Sequence, residues 1–106
     1  MSERISLFLK KLEDNKGSLL NRFSLAQAFF EEGEYNQAIP HLKECVQGRA
    51  DWMMAYLFLA KAYIANGQEE FAREPLDVTI KLAQEQSHED PENEAKALLF
   101  EINKGN

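Results

Sequence analysis

The stretch Leu25-Ala26-Gln27-Ala28-Phe29-Phe30-Glu31-Glu32-Gly33 recurs 34 residues later as Leu59-Ala60-Lys61-Ala62-Tyr63-Ile64-Ala65-Asn66-Gly67. The correspondence continues beyond the glycines, since Ala38 aligns with Ala72 and Leu42 aligns with Leu76. A fixed period of this length predicts stacked helical hairpins, none of which can bury its apolar face alone. Such a stack presents an extended curved surface to partners, so the repeat favours a binding function.

The sequence predicts an all-α protein with one domain and six helices. Apolar residues recur at helical spacing, and no segment shows the strict alternation of a half-buried strand. The fifth helix is expected to be the longest. The predicted helices span about residues 3–14, 19–32, 35–47, 52–66, 69–86 and 91–103.

Helix ends are marked by capping residues, glycine and proline. The expected N-caps are Ser18, Asp51 and Asp90. Gly33 and Gly67 are each placed where a helix ends in the left-handed conformation. Pro40 and Pro75 fall at similar places in the third and fifth helices. Each is expected to bend its helix, because proline lacks a backbone donor and crowds the preceding turn.

Composition and charge exclude several classes of protein. The formal net charge is -6 over 106 residues, which disfavours nucleic acid, because phosphates need clustered Lys and Arg. Cys45 is the only cysteine, so no disulfide can form within the chain. The first apolar stretch is too short for a signal-peptide core or a membrane span. We therefore expect a cytoplasmic protein that binds neither nucleic acid nor membrane.

These residues resemble the tetratricopeptide repeat, a 34-residue pair of antiparallel helices. Two positions depart from its pattern: Arg22 stands where a large apolar residue belongs, and Ala50 where the family usually has proline. The first repeat matches at Leu25, Ala26, Phe29, Gly33, Tyr35, Ala38, Leu42 and Cys45. The second matches at Tyr56, Leu59, Ala60, Tyr63, Gly67, Ala72, Leu76 and Thr79.

The resemblance implies a right-handed superhelix of two repeats, residues 19–52 and 53–86, with a helix at each end. Residues 1–18 match the second half of a preceding unit, through Phe8 and Leu12. Residues 87–106 match the first half of a following unit after a shift of 39 rather than 34 residues. This last helix is expected to act as a cap, which short solenoids require. The arrangement also resembles small two-repeat bacterial proteins.

In this family, partners bind a concave groove lined by the first helix of each pair. The corresponding residues here are Leu20, Phe23, Gln27, Phe30, Met54, Leu57, Lys61, Ile64 and, with the shifted cap, Phe100. Family members that hold acidic chaperone tails do so with a clamp of Lys, Asn and Arg. Lys61 is the only cation at these positions, so that clamp is absent. An apolar peptide or an amphipathic helix is the expected partner.

Two alternatives compete with an open groove. The C-terminal helix could fold across it and turn these residues into core. An exposed apolar face on so short a solenoid could instead be where two copies meet in a homodimer. Either alternative would make this a structural or self-associating protein.

The sequence predicts no enzyme, no catalytic residue, no cofactor and no metal site. His41 and Cys45 are four residues apart on one helix, a spacing that can place two metal ligands side by side. Cys45 occupies a small-residue core position of the repeat, however, where a buried thiol is inert. His88 is the only other histidine, so a closed site lacks ligands.

Overall fold

The computed structural model describes residues 2–105, which form six α-helices and no strand. The predicted all-α architecture is therefore confirmed. The helices are α1 (Glu3–Asp14), α2 (Leu19–Glu31), α3 (Tyr35–Gly48), α4 (Met53–Ala65), α5 (Arg73–Glu85) and α6 (Glu89–Lys104). These bounds do not test the predicted repeat boundaries, which stay a prediction.

The helix caps confirm some of the expected ends and correct others. Ser18 caps α2 by accepting a hydrogen bond from the Asn21 backbone amide. Gly33 and Gly67 have φ angles of 78° and 77°, a conformation in which a Cβ would be strained. The prediction that Asp51 caps the fourth helix was wrong, because α4 starts one residue later, after Trp52.

The predicted start of the last helix was also wrong. The N-cap residue is His88, so Asp90 and Pro91 both lie inside the first turn of α6. The reason is that the first backbone N–H groups of a helix have no intrahelical acceptor, so proline is tolerated there. Asp90 is favourable in the same turn, since a carboxylate complements the positive end of the helix dipole.

The fifth helix is broken, and it is not the longest. A 3₁₀ turn at Glu69–Phe71 precedes α5, whereas the 16-residue α6 is the longest helix of the described chain. Pro75 lies in the first turn of α5, where the backbone N–H that proline lacks has no intrahelical acceptor. Pro40, in contrast, lies inside α3, which continues through it.

Two apolar clusters of buried residues form the core, and the half-buried Tyr63 packs against both. The first contains residues of α1, α2, α3 and α4, among them Ile5, Leu25 and Leu42, which are almost or completely buried. The second joins α4, α5 and α6 through Leu57, Leu76, Ala95 and Ile102, with Ala60 and Ala72. Alanines at these helix contacts allow close approach of the backbones. The terminal helices α1 and α6 thus pack on the two ends of the stack formed by α2 to α5.

The helices pack mainly on their neighbours in the chain, which gives a body of 41 × 28 × 20 Å. Successive helices are antiparallel because only short turns join them. In addition, α2 contacts α4, and α4 contacts α6, so these three helices form one row. The helices α3 and α5 flank α4 without packing extensively on each other. The molecule therefore has two distinct long faces, one lined by the row and one lying between α3 and α5.

Candidate functional site

The surface residues of the α2–α4–α6 row include three large apolar side chains. Leu20 is 67% exposed, Met54 is 37% exposed and Phe100 is 65% exposed. Leu20 and Met54 are each the second residue of their helix, whereas Phe100 lies in the C-terminal half of α6. The row therefore carries one large exposed apolar side chain on each of its three helices. We call its surface the concave row, because it corresponds to the groove that the family resemblance predicts.

Two of the predicted groove residues are buried. Phe23 is 9% exposed and Leu57 is 1% exposed. Leu57 belongs to the cluster that also contains Ala95 and Ile102 of α6. α6 thus covers Leu57, whereas Leu20 and Phe100 stay exposed. Contact of Phe23 or Leu57 with a partner stays a prediction.

A cluster of aromatic rings lies beneath the concave row, and Phe58 is at its centre. The Phe58 ring meets the rings of Phe23 and Phe30 edge to face, with centroids 5.7 and 5.6 Å apart. Trp52 extends the cluster at one end, 4.7 Å from Phe23, and Tyr35 at the other, 5.2 Å from Phe30. The sequence did not predict Phe58, because the repeat pattern does not mark its position and the equivalent residue in the first repeat is Ser24.

The polar residues of the concave row lie between its apolar ends. The Lys61 ammonium is 2.9 Å from the Glu94 carboxylate and 5.3 Å from the centre of the Phe58 ring. Gln27 and Ile64 are half-buried nearby on α2 and α4. The one predicted cation is thus already paired with an acid of the cap. An acidic tail would have to displace Glu94 to reach it.

A cleft that was not predicted from the sequence lies on the other side of α4. Two adjoining hollows of about 360 Å³ and about 480 Å³ share Lys43, Tyr63 and Phe71. Tyr63 is two residues beyond Lys61, so their side chains point to opposite sides of the helix, at about 100° per residue. We call this surface, between α3 and α5, the outer cleft. Tyr56 and Tyr63 of the repeat pattern were the only sequence signal for this cleft. The pattern does not distinguish a tyrosine in the core from one that lines a cleft.

The family of the chain follows from comparison with known proteins. The sequence model described as tetratricopeptide repeat matches residues 29–99, from the second half of α2 into α6. The chain belongs to the tetratricopeptide repeat family. Members of this family generally mediate protein–protein interactions and typically have no enzymatic activity. The resemblance inferred from the 34-residue register is therefore confirmed.

One solved structure shows the same tetratricopeptide repeat architecture. It is the solution structure of protein BPP2914 from Bordetella parapertussis, which is 20% identical in sequence. The two folds agree with a TM-score of 0.82 over 99% of this chain and 91% of the other. At this identity the similarity concerns the fold alone. No curated protein matches the chain.

Arg22, the main departure from the tetratricopeptide repeat pattern, forms a polar network between α2 and α3. Its guanidinium lies 3.0 Å from Nδ1 of His41 and 3.1 Å from the Glu44 carboxylate. Since arginine only donates, Nδ1 of His41 accepts and the ring is neutral. Burial, with the charge of Arg22, lowers the pKa of His41. The stacked Phe29 ring, 6.0 Å away, closes the other side.

This network predicts that the protein loses stability in mild acid, because unfolding allows His41 to be protonated. A lowered pKa means that the unfolded state binds the proton more readily. The contribution of neutral His41 is complete above its ordinary pKa of 6.5 and is lost as the pH falls towards the lowered value. Urea unfolding of the wild type and His41→Gln at about pH 7.5 and about pH 5 checks this, and the variant should lose less stability. His88→Gln, which removes an exposed imidazole, is the control; equal losses in wild type and His41→Gln would contradict the prediction.

Cys45 is a buried free cysteine of α3. Burial raises the pKa of the Cys45 thiol to about 11, so the thiolate is scarce. Its Sγ lies 3.7 Å from the Leu19 carbonyl, and the equivalent Thr79 donates to the Pro75 carbonyl at 2.8 Å. Within residues 2–105, no three His, Cys, Asp or Glu residues gather as a metal site would require. No helix in that range is long and apolar enough to cross a bilayer.

Proposed function

We propose that the protein is a non-enzymatic interaction module that binds an amphipathic helix or apolar peptide of a partner protein on the concave row. Residues 19–52 and 53–86 are its two repeats, residues 1–18 its half-repeat and residues 87–106 its cap. The exposure of Leu20, Met54 and Phe100 carries the proposal. Exposed large apolar side chains are costly in water, and several on one face are typical of an interaction surface.

The side chains of the concave row favour a helical partner over an acidic tail. The ammonium of Lys61 is engaged by Glu94, which leaves no preformed site for a carboxylate. A helix satisfies its own backbone groups and needs only apolar contacts from the groove, at positions i, i+3, i+4 and i+7. Leu20, Met54 and Phe100 supply such contacts, with the aromatic cluster around Phe58 beneath them.

The position of α6 bears on the alternative, in which the cap or a second copy occupies the groove. The cap buries Leu57 but leaves Phe100 exposed on its own surface. It therefore does not use up the apolar surface of the row. Occupation of the row by a second copy of the chain is tested by light scattering below.

The test compares peptide binding to two matched variants. Peptides would be selected by display on the full wild-type chain and their affinities measured by fluorescence anisotropy. The variant Leu20→Ser/Met54→Ser/Phe100→Ser should bind the selected helical peptides at least roughly ten-fold more weakly, because buried apolar anchors dominate such interfaces. The control Leu7→Ser/Leu9→Ser removes exposed apolar side chains from α1, away from the row, and should leave binding unchanged.

Light scattering at several concentrations separates the two candidate functions. A monomer that binds such peptides through the three residues supports the proposal. A stable dimer that dissociates in the triple-serine variant would overturn it in favour of self-association. Equal peptide binding by wild type and the triple variant would also overturn it.

A further inference from the structure

The outer cleft differs from the concave row in its shape and chemistry. Its floor is formed by Tyr56 and Tyr63 of α4, and its walls by α3 on one side and by Phe71 and α5 on the other. The rings of Tyr63 and Phe71 are 5.6 Å apart, and Phe71 is 53% exposed. An open aromatic surface thus lies on the face opposite to the one that tetratricopeptide repeats line with their first helices.

The cleft also presents hydrogen-bond donors that bond to no other residue of the described chain. Within residues 2–105, the hydroxyl groups of Tyr56 and Tyr63 and the amide of Gln47 bond to no other residue. None of these groups is sealed from solvent, since no buried side-chain nitrogen or oxygen of the described chain lacks a partner. They are free to donate to a ligand that brings acceptors.

An extended backbone matches this combination better than a helix does. A polyproline II segment has no internal hydrogen bonds, so its carbonyl groups are free to accept. Its proline rings pack on aromatic side chains in grooves of this kind. Along α3 the cleft runs from Asn36 to Gln47, about 16 Å at the rise of an α-helix. This length accommodates about five residues of polyproline II.

The charged residues of the cleft walls favour one orientation of a bound ligand. Lys43 borders both hollows and forms no ion pair with the described residues. Glu74 borders only the hollow that also contains Tyr56. An acidic ligand side chain is therefore favoured beside Lys43 and away from Glu74, towards Asn36.

We propose that the outer cleft binds an extended, proline-rich segment of a partner protein, with its prolines on Tyr56, Tyr63 and Phe71 and an acidic side chain on Lys43. This surface is separate from the concave row, so the protein would hold two different peptide segments at once. The helical segment would lie on one face and the extended segment on the other.

The experiment uses the full chain, labelled with ¹⁵N, and a short synthetic proline-rich peptide with one glutamate. Backbone signals of Tyr63, Phe71 and Lys43 should shift, while those of Leu20 and Phe100 should not. Tyr63→Phe keeps the ring and removes only the hydroxyl, so it should fold and bind roughly three- to ten-fold more weakly, as expected for one hydrogen bond. Tyr35→Phe, which alters a hydroxyl under the concave row, is the matched control and should bind normally.

A second test of the proposal reverses the charge of Lys43 and that of the peptide. The wild type should prefer the glutamate peptide over the same peptide with lysine, and Lys43→Glu should reverse that preference. Unchanged affinity in both Tyr63→Phe and Lys43→Glu would overturn the proposal, as would shifts confined to the Leu20 and Phe100 face. The triple-serine variant of the concave row should bind the proline-rich peptide like wild type, so failure here is distinguishable from failure of the proposed function.

Discussion

Replacing Phe23 with alanine is expected to lower the free energy of unfolding by about 3–5 kcal/mol, the range for large aromatic truncations in a core. Although the family pattern places Phe23 in the groove, its ring is buried between Trp52 and Phe58. The substitution removes the buried ring and two aromatic pairs, each worth about 0.5–1.5 kcal/mol beyond burial. Urea unfolding followed by circular dichroism measures the loss.

Leu20→Ala is the matched control for Phe23→Ala. Leu20 lies on the same helix, one turn earlier, and is largely exposed, so its truncation should change stability by no more than about 0.5 kcal/mol. Phe23→Leu provides a folded intermediate case, should Phe23→Ala be too unstable to measure. Equal stability of the Phe23→Ala and Leu20→Ala variants would show that the aromatic cluster does not hold α2 against α4.

The second large effect is expected at the cap. Ile102→Ala should cost about 2–4 kcal/mol, because it opens a cavity in a packed cluster. Ile102 is buried with Leu57, Leu76 and Ala95 where α6 meets the second repeat. A weakened cap uncovers Leu57, so the variant should also bind more of a hydrophobic dye. Thermal and urea unfolding measure the first effect, and dye fluorescence measures the second.

Phe100→Ala separates cap docking from a general effect of shortening an α6 side chain. Phe100 is two residues from Ile102 but largely exposed, so its removal should leave stability within about 0.5 kcal/mol of wild type. The stronger variant Ile102→Asp should detach α6 by placing a charge in the cluster. Equal unfolding free energies for Ile102→Ala and Phe100→Ala would mean that α6 does not stabilise the repeats.

Much of the fold could be predicted because its signals are local. Ser18 caps a helix by bonding to a backbone amide three residues away, and Gly33 ends one through its own φ angle. The failures came where neighbouring signals compete. Asp51 is a good capping residue, yet α4 begins after Trp52. A 3₁₀ turn at Glu69–Phe71 interrupts a helix that the apolar pattern alone would continue.

The candidate site was less predictable, because exposure depends on packing between distant segments. Phe23 and Leu20 both occupy groove positions of the repeat, but only Phe23 is covered by the rings of Trp52 and Phe58. Leu57 is buried by a cap about forty residues further along the chain. The period gives no information on either contact.

By itself, then, the sequence determined the 34-residue period, the number of helices and the family, because these depend on backbone preferences and on spacing within one helix or one repeat. The tertiary structure decided that Leu20, Met54 and Phe100 are exposed while Phe23 and Leu57 are buried. It also decided that a cleft remains between α3 and α5. The physical reason is that side-chain burial is set by which helices meet and how closely, and those contacts join residues that no local pattern connects.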